Sequence, residues 1–417
     1  MQAINLEQAL RFFDPKKPLS GNQLNLWFVP RAESPRRRLE IFLRNQQQPS
    51  KVLFIGHRGS GKTTELNMLA TELTDRFLTI GFSVLGTTGR TSPEYEDLML
   101  AISTQVIRTC IDQRIVGQPL ADPVRRGWED LRAWWQQVVA GLEFRPVAAE
   151  QSIYAELNTL LGQVEVGARQ SSVTRDHLRF QINQQMPELI QRLNWVIEQA
   201  EGDGSRRLLI VVEDLDKIDL KSATDIFRDH APTIVAPQAT MIFTFPLALR
   251  HSDHYNTIRL NFPAVHFLPN LAIQHADGSP NEEGIHTLKR LVDLRLKDEL
   301  IDADALELLI HSNGGIPVWL IFLMRSAVLF ALERDGDAKR ITRQDVQKAV
   351  MELRREGIAP LTRHDLQVLR ARHQDRRLSN DPDEQRLLYN GSLIEYFNDA
   401  QWCDAHPALW SLLEEDH

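Results

Sequence analysis

Cysteine is nearly absent: Cys110 and Cys403 are the two in 417 residues. They lie far apart and at no metal-ligand spacing, so they make neither a disulfide framework nor a metal knuckle, which fits a reducing cytoplasm and small buried apolar residues. A general basic field is also missing, since the formal net charge is −8, and any contact with nucleic acid has to be local. Met1 to Pro18 lacks a basic start followed by an apolar core, so it does not read as a signal peptide and export is not expected. The longest apolar run, Val318 to Leu332, is broken by Arg325 and too short for a bilayer, so it reads as a buried helix and no membrane segment is expected. No repeat of fixed period is visible. What is present, at 42% hydrophobic content, is a globular chain long enough for two or three domains.

The most informative stretch begins at Val52-Leu53-Phe54-Ile55, an apolar run that fits a buried strand, and continues as Gly56-His57-Arg58-Gly59-Ser60-Gly61-Lys62-Thr63-Thr64. Leu66, Leu69, Ala70 and Leu73 then mark one face of a helix, which completes the context of a P-loop. Glycines let the backbone turn so that successive N–H groups face a phosphate chain, and the helix adds the positive end of its dipole. Lys62 is placed to reach the β- and γ-phosphates, Thr63 to ligate Mg²⁺, and Thr64 to stand near the α-phosphate.

Phe77 to Val84 reads as a second strand, Gly86 to Pro93 as a polar loop, and Leu98, Ile102, Val106 and Thr109 as a helix stripe. Strand alternating with helix implies parallel strands covered on both faces. The next strand signal comes only at residue 208, so a helical insertion over about residues 117–202 interrupts the core. Within it Trp134 and Trp135 cannot both face one stripe of a single helix, so one of them meets a second surface in this domain or in a partner subunit. Leu208-Leu209-Ile210-Val211-Val212 then runs into Glu213-Asp214-Leu215-Asp216-Lys217. An apolar strand ending in adjacent carboxylates, paired with a P-loop, is the Walker B arrangement. Glu213 is assigned to the metal, Asp214 to the attacking water, and Asp216 to a helper or capping role. Met241 to Phe245 and Ala264 to Phe267 complete five strands.

Val-Val-Glu-Asp-Leu-Asp-Lys resembles the hydrophobic-Asp-Asp-Leu-Asp-Lys/Arg signature of STAND and KAP-like P-loop ATPases, relatives of AAA+ proteins, with Glu213 in place of the first Asp. Phe28-Val29-Pro30-Arg31-Ala32-Glu33 is similar to the box upstream of the P-loop in STAND and Orc/Cdc6-type ATPases, which lines the adenine pocket. On that resemblance Arg31 joins the nucleotide site; otherwise it is a solvated arginine at a helix start. Thr244 stands where such ATPases place sensor 1, though a β-branched residue suits any strand. Asn313-Gly314-Gly315-Ile316-Pro317 resembles the sensor 2 corner of an AAA+ lid, with Val318 where arginine is usual. Arg325 then either reaches the nucleotide instead or pairs within the helical packing.

From residue 357 the chain reads as helices followed by a hairpin, Leu393 to Phe397 and Ala400 to His406, which looks like a winged helix. Arg354, Arg355, Arg363, Arg370, Arg372, Arg376 and Arg377 give residues 354–377 a local basic bias, diluted by Glu352, Glu356, Asp365 and Asp375. They make either a DNA contact or a solvated or docking face. The expected organisation is an N-terminal segment (1–45), a three-layer α/β ATPase core of ASCE type with a parallel five-stranded sheet (46–270), a helical lid (271–356) and a winged-helix-like domain (357–417). The resemblance implies a slow ATPase using ATP and Mg²⁺, a switch acting on a partner protein or by self-assembly. Bacterial anti-phage defence is one setting for such switches. The alternatives are an Orc-like DNA-binding ATPase and a nucleotide-binding scaffold with negligible turnover.

Overall fold

β-Branched and aromatic runs at the expected places form one parallel sheet in a computed structural model that describes residues 2–89, 92–112, 122–142, 153–202, 206–358, 360–398 and 400–414. The strands are β1 (Lys51–Ile55), β2 (Phe77–Ser83), β3 (Arg207–Glu213), β4 (Thr240–Phe245) and β5 (Ala264–Phe267), in the order β2-β3-β4-β1-β5. A parallel sheet needs cover on both faces, and alternate residues of β1 supply both. Leu53 and Ile55 enter one large core, while Val52 and Phe54 pack with Leu39, Leu43, Leu66 and Leu69 on the other side. Because β4 lies between β1 and β3, Thr244 stands opposite Phe54 in register and between the two strands that carry the P-loop and the acidic turn.

The helices Tyr95–Asp112, Asp122–Val138, Ile153–Gln170, Ser172–Gln184 and Met186–Glu201 enlarge the first of these cores. Trp134 and Trp135 are both buried, their rings edge-on at 5.2 Å, with the Arg192 guanidinium 5.6 Å over Trp134. The bundle therefore covers the helix on two sides, and both indoles find cover within the chain. The expected start of the insertion, near 117, lies outside the described residues. The stretch expected as a loop from Gly86 begins instead inside a short helix, Val84–Thr88, because the Ser83 hydroxyl accepts from the Gly86 N–H as its cap. Residues 90 and 91 of that stretch lie outside the described residues.

Beyond β5 come the helices Glu282–Asp293, Ala303–Ser312, Pro317–Arg334 and Arg343–Glu352. Between the second and third the chain turns at Gly314 and Gly315, at φ 66° and 71°. A Cβ on Gly315 would lie 2.2 Å from the Leu271 carbonyl oxygen, so this corner fits glycine alone. Helices Arg363–Asp375 and Pro382–Asn390 lead into the antiparallel pair β6 (Leu393–Asn398) and β7 (Ala400–Ala405). Between the two strands, residue 399 lies outside the described residues. No helix among the described residues is long and apolar enough to cross a membrane.

The first residues join the core of these later helices and not that of the α/β sheet. Ala3, Leu6, Ala9 and Phe13 form an apolar stripe at helical spacing, and the helix Leu6–Phe12 buries it among Leu288, Leu320 and Leu323. The chain then returns to the core, where the Leu19 N–H donates to Thr64 Oγ1 at 3.2 Å and Asn67 Nδ2 donates to the Leu19 carbonyl at 2.9 Å.

Candidate functional site

Gly59 and Gly61 take φ of 80° and 94°, a backbone that places the loop 56–61 over the start of the helix Lys62–Glu72. Side chains there have no room: a Cβ on Gly59 would fall 2.0 Å from Val318 Cγ1, and one on Gly61 would fall 2.8 Å from Arg31 Nη2. Arg31 is accordingly not a solvated arginine. Its Nη2 donates to the Ser60 carbonyl at 2.6 Å, and its Nε faces Glu65 at 3.7 Å, bracing the loop from outside. Burial pulls its pKa down and Glu65 opposes that.

Lys62 is buried, with Nζ donating to the carbonyls of Gly56 (2.8 Å) and His57 (2.7 Å) and standing 2.8 Å from Asp216 Oδ2. Burial pulls the Lys62 pKa down against the neighbouring carboxylate, whereas in Asp216 the lysine outweighs burial and the carboxyl is held low. Thr244 joins this group: its hydroxyl accepts from the Leu215 N–H at 3.1 Å and hydrogen-bonds Asp216.

Glu213 lies at the end of β3. Burial pushes its pKa up to about 7, opposed by a hydrogen bond with the Thr63 hydroxyl. Its Oε2 is buried and has no hydrogen-bond partner. Asp214 adopts φ 68° and turns the other way, accepting from the Ser83 hydroxyl and pairing with Lys217 Nζ. The parallel register of β2 against β3 sets Ser83 opposite Glu213 and so within reach of the turn.

All of this opens on a cavity of about 460 Å³. Thr63, Thr64, Glu213 and Asp214 line it, as do Trp27, Phe28, Arg295 and Ile321 and residues of the segment Arg11–Leu19. Among the described residues no cluster of three or more His, Cys, Asp or Glu is arranged to cage a metal ion. Thr63 with Glu213 is instead an open pair of oxygen donors of the kind that holds Mg²⁺ together with water and ligand phosphates.

Three assigned residues lie elsewhere than the sequence suggested. Arg325 does not line the cavity; its Nη1 donates to the carbonyls of Leu10 (2.6 Å) and Phe13 (3.5 Å). There it satisfies the last turn of the N-terminal helix, whose free carbonyls and negative dipole end attract a cation. His57 and Arg58 point to residues near the C-terminus. His57 Nε2 accepts from the Glu395 N–H at 2.8 Å, and burial pulls its pKa down to about 3, so the ring is neutral with its proton on Nδ1. The Arg58 guanidinium lies 5.4 Å over the Tyr389 ring.

Sequence reasoning missed Ser83, Arg295 and Trp27, and left Asp216 without its lysine. A polar residue ending a strand was the signal at Ser83. Nothing local marks Arg295.

The arginines of 354–377 are largely committed within the chain. Arg354 donates to the Ala408 carbonyl, Arg370 to that of Leu413, and Arg376 to that of Ala276. Arg372 pairs with Glu384 and Asp375.

No family model matches the sequence, and no curated protein matches it. Among solved structures the chain is similar to the Walker-type ATPase PABY2304 of Pyrococcus abyssi, at 16% identity and TM-score 0.47, covering 97% of this chain and 100% of that one. It is similar to Cdc6p from Pyrobaculum aerophilum at 13% identity and TM-score 0.44, covering 97% and 96%. With the Aeropyrum pernix ORC2 protein the figures are 12%, 0.43, 95% and 93%.

Proposed function

We propose that this protein binds Mg²⁺-ATP in the cavity and hydrolyses it slowly, and that the nucleotide state is passed to the C-terminal domain. The observation that carries the first part is the unpartnered, buried Oε2 of Glu213 beside the Thr63 hydroxyl, on a cavity wall shared with the glycine loop. A buried carboxylate oxygen with nothing to accept from is costly unless a cation completes it. Glu213 and Thr63 therefore fit Mg²⁺, which when bound neutralises charge on the β- and γ-phosphates. Lys62 has to leave Asp216 for the triphosphate. The backbone N–H groups of the loop and the helix start at Lys62 favour the same anion. Asp214 can orient water only after letting go of Lys217, so exchange of that ion pair is a step of the cycle.

Support for a switch comes from the loop itself, since His57 and Arg58 touch Glu395 and Tyr389, and Tyr389 Oη also donates to the Ile218 carbonyl at 3.0 Å just after the acidic turn. A change in the loop or turn on nucleotide binding would alter these contacts, and ATP can bias the domain only by its differential affinity for the two arrangements. In this reading output passes through another chain or through self-assembly, with anti-phage defence as one setting; contact with DNA is the weaker reading because Arg354, Arg370, Arg372 and Arg376 are already occupied.

The test is Mg²⁺-dependent ATP binding by calorimetry together with phosphate release. Binding is expected to vanish in Lys62→Ala, and phosphate release but not binding in Asp214→Ala. Binding without any phosphate release in the intact protein would leave a nucleotide-gated scaffold.

A further inference from the structure

Arg295 is a site-lining cation that belongs to neither the P-loop nor the acidic turn. It follows the helix Glu282–Asp293, is 4% exposed, and lines the same cavity as Thr63 and Glu213. Among the described residues no carboxylate pairs with it. Its Nη1 donates to the Leu291 carbonyl at 2.8 Å, and its guanidinium lies 5.3 Å over the Trp27 ring, which in turn packs against Phe12 at 5.0 Å. A guanidinium has five N–H donors and no acceptor, and one of these donors goes to Leu291. The guanidinium therefore keeps hydrogen-bonding capacity for a ligand that brings acceptors into the cavity it lines.

The phosphate part of the site already has Lys62, the glycine loop and the Thr63–Glu213 pair. Arg295 lies over Trp27, which packs against Phe12, and all three line the cavity, an aromatic surface that suits a flat ring. We propose that Arg295 reads the purine base of the bound nucleotide, donating from a guanidinium fixed by Trp27 and the Leu291 carbonyl to ring nitrogens of the base. This rests on the ATP-binding reading above. Arg295 is a specificity-determining residue and takes no part in phosphate chemistry.

The experiment compares ATP, CTP and inorganic tripolyphosphate on the full chain and on Arg295→Met, a change that keeps the apolar bulk against Trp27. Charge-assisted hydrogen bonds contribute about 1.5–3 kcal/mol each, so ATP affinity is expected to fall roughly 10- to 150-fold while tripolyphosphate affinity stays within about twofold. The preference for ATP over CTP should shrink in parallel. Equal loss of ATP and tripolyphosphate would show that Arg295 holds phosphate and would overturn the proposal, as would an unchanged ATP affinity. Deaza analogues of ATP lacking N1, N3 or N7 test the same contact on the unaltered protein, which removes any question of misfolding. At least one is expected to bind about tenfold or more weakly, and three analogues that bind like ATP would overturn the assignment. Failure of the unaltered protein to bind ATP at all would instead remove the nucleotide reading.

Discussion

Replacing Asp216 by Asn should make the nucleotide-free protein less stable and its response to ATP larger. Lys62 and Asp216 are both buried and 2.8 Å apart, and Lys62 has two further acceptors in the loop carbonyls. Removing one member of a buried pair leaves the other uncompensated and costs about 3–5 kcal/mol in general. Asn can still accept from Nζ, and Lys62 can shed its proton because burial already lowers its pKa. We therefore expect a cost of about 2–3 kcal/mol, or on the order of 5–10 °C in melting temperature for the core.

Mg²⁺-ATP at a hundred times Kd stabilises any one-site protein by about 2.7 kcal/mol. In Asp216→Asn the triphosphate supplies the missing counter-charge, and Lys62 no longer abandons a carboxylate to meet it. The ATP affinity should rise by roughly 10- to 100-fold, each tenfold being about 1.4 kcal/mol. The assay is thermal unfolding with and without a slowly hydrolysed ATP analogue. A variant that melts like the parent, or one whose analogue-induced shift is no larger, would refute the view that this pair stores energy released on binding. The double variant Lys62→Met/Asp216→Leu provides a control: it should regain the lost stability while losing nucleotide binding altogether.

Arg325→Met should leave phosphate release unchanged and destabilise the docking of the N-terminal helix by about 1–3 kcal/mol, read as earlier proteolysis within residues 2–19; a loss of turnover at full stability would return Arg325 to the site. Glu395 is fully buried and held low, despite burial, by His251 and Arg250, with the His57 ring on its backbone N–H. Glu395→Leu should strand the Arg250 guanidinium, leave the His251 ring without its carboxylate partner and loosen the C-terminal hairpin from the P-loop, so hydrogen exchange in both 56–61 and 393–398 should rise together; a rise in the hairpin alone would break the proposed link. Asp365 caps the helix Arg363–Asp375 and pairs with Arg386, which together with the Thr362 contacts lowers its pKa to about 2. A depressed carboxylate contributes stability that is complete above about pH 4 and is lost as pH falls toward 2. Asp365→Asn should cost about 1–2 kcal/mol at neutral pH and flatten acid unfolding of this domain between those limits, and an unaltered acid limb in a pH series would contradict the assignment.

Features written in contiguous residues are legible in the amino-acid sequence alone. Gly56 to Thr64 carry their own backbone geometry, because positive φ at Gly59 and Gly61 is a property of glycine and the strand and helix on either side are local patterns. The apolar strands, the acidic end of β3, the Gly314-Gly315 corner and the C-terminal hairpin are visible for the same reason, and together they imply the parallel five-stranded core. What the side chains meet is decided only in three dimensions. Asp216 faces Lys62, His57 receives the Glu395 N–H from 338 positions away, and Arg325 finds the Leu10 carbonyl 315 positions away. A motif specifies backbone shape and charge within a few residues, whereas the partner of a buried ion is whichever acceptor the packed elements bring to it. Arg295 shows this most clearly: in sequence it is one arginine among many, and only its packing over Trp27 makes it part of the site.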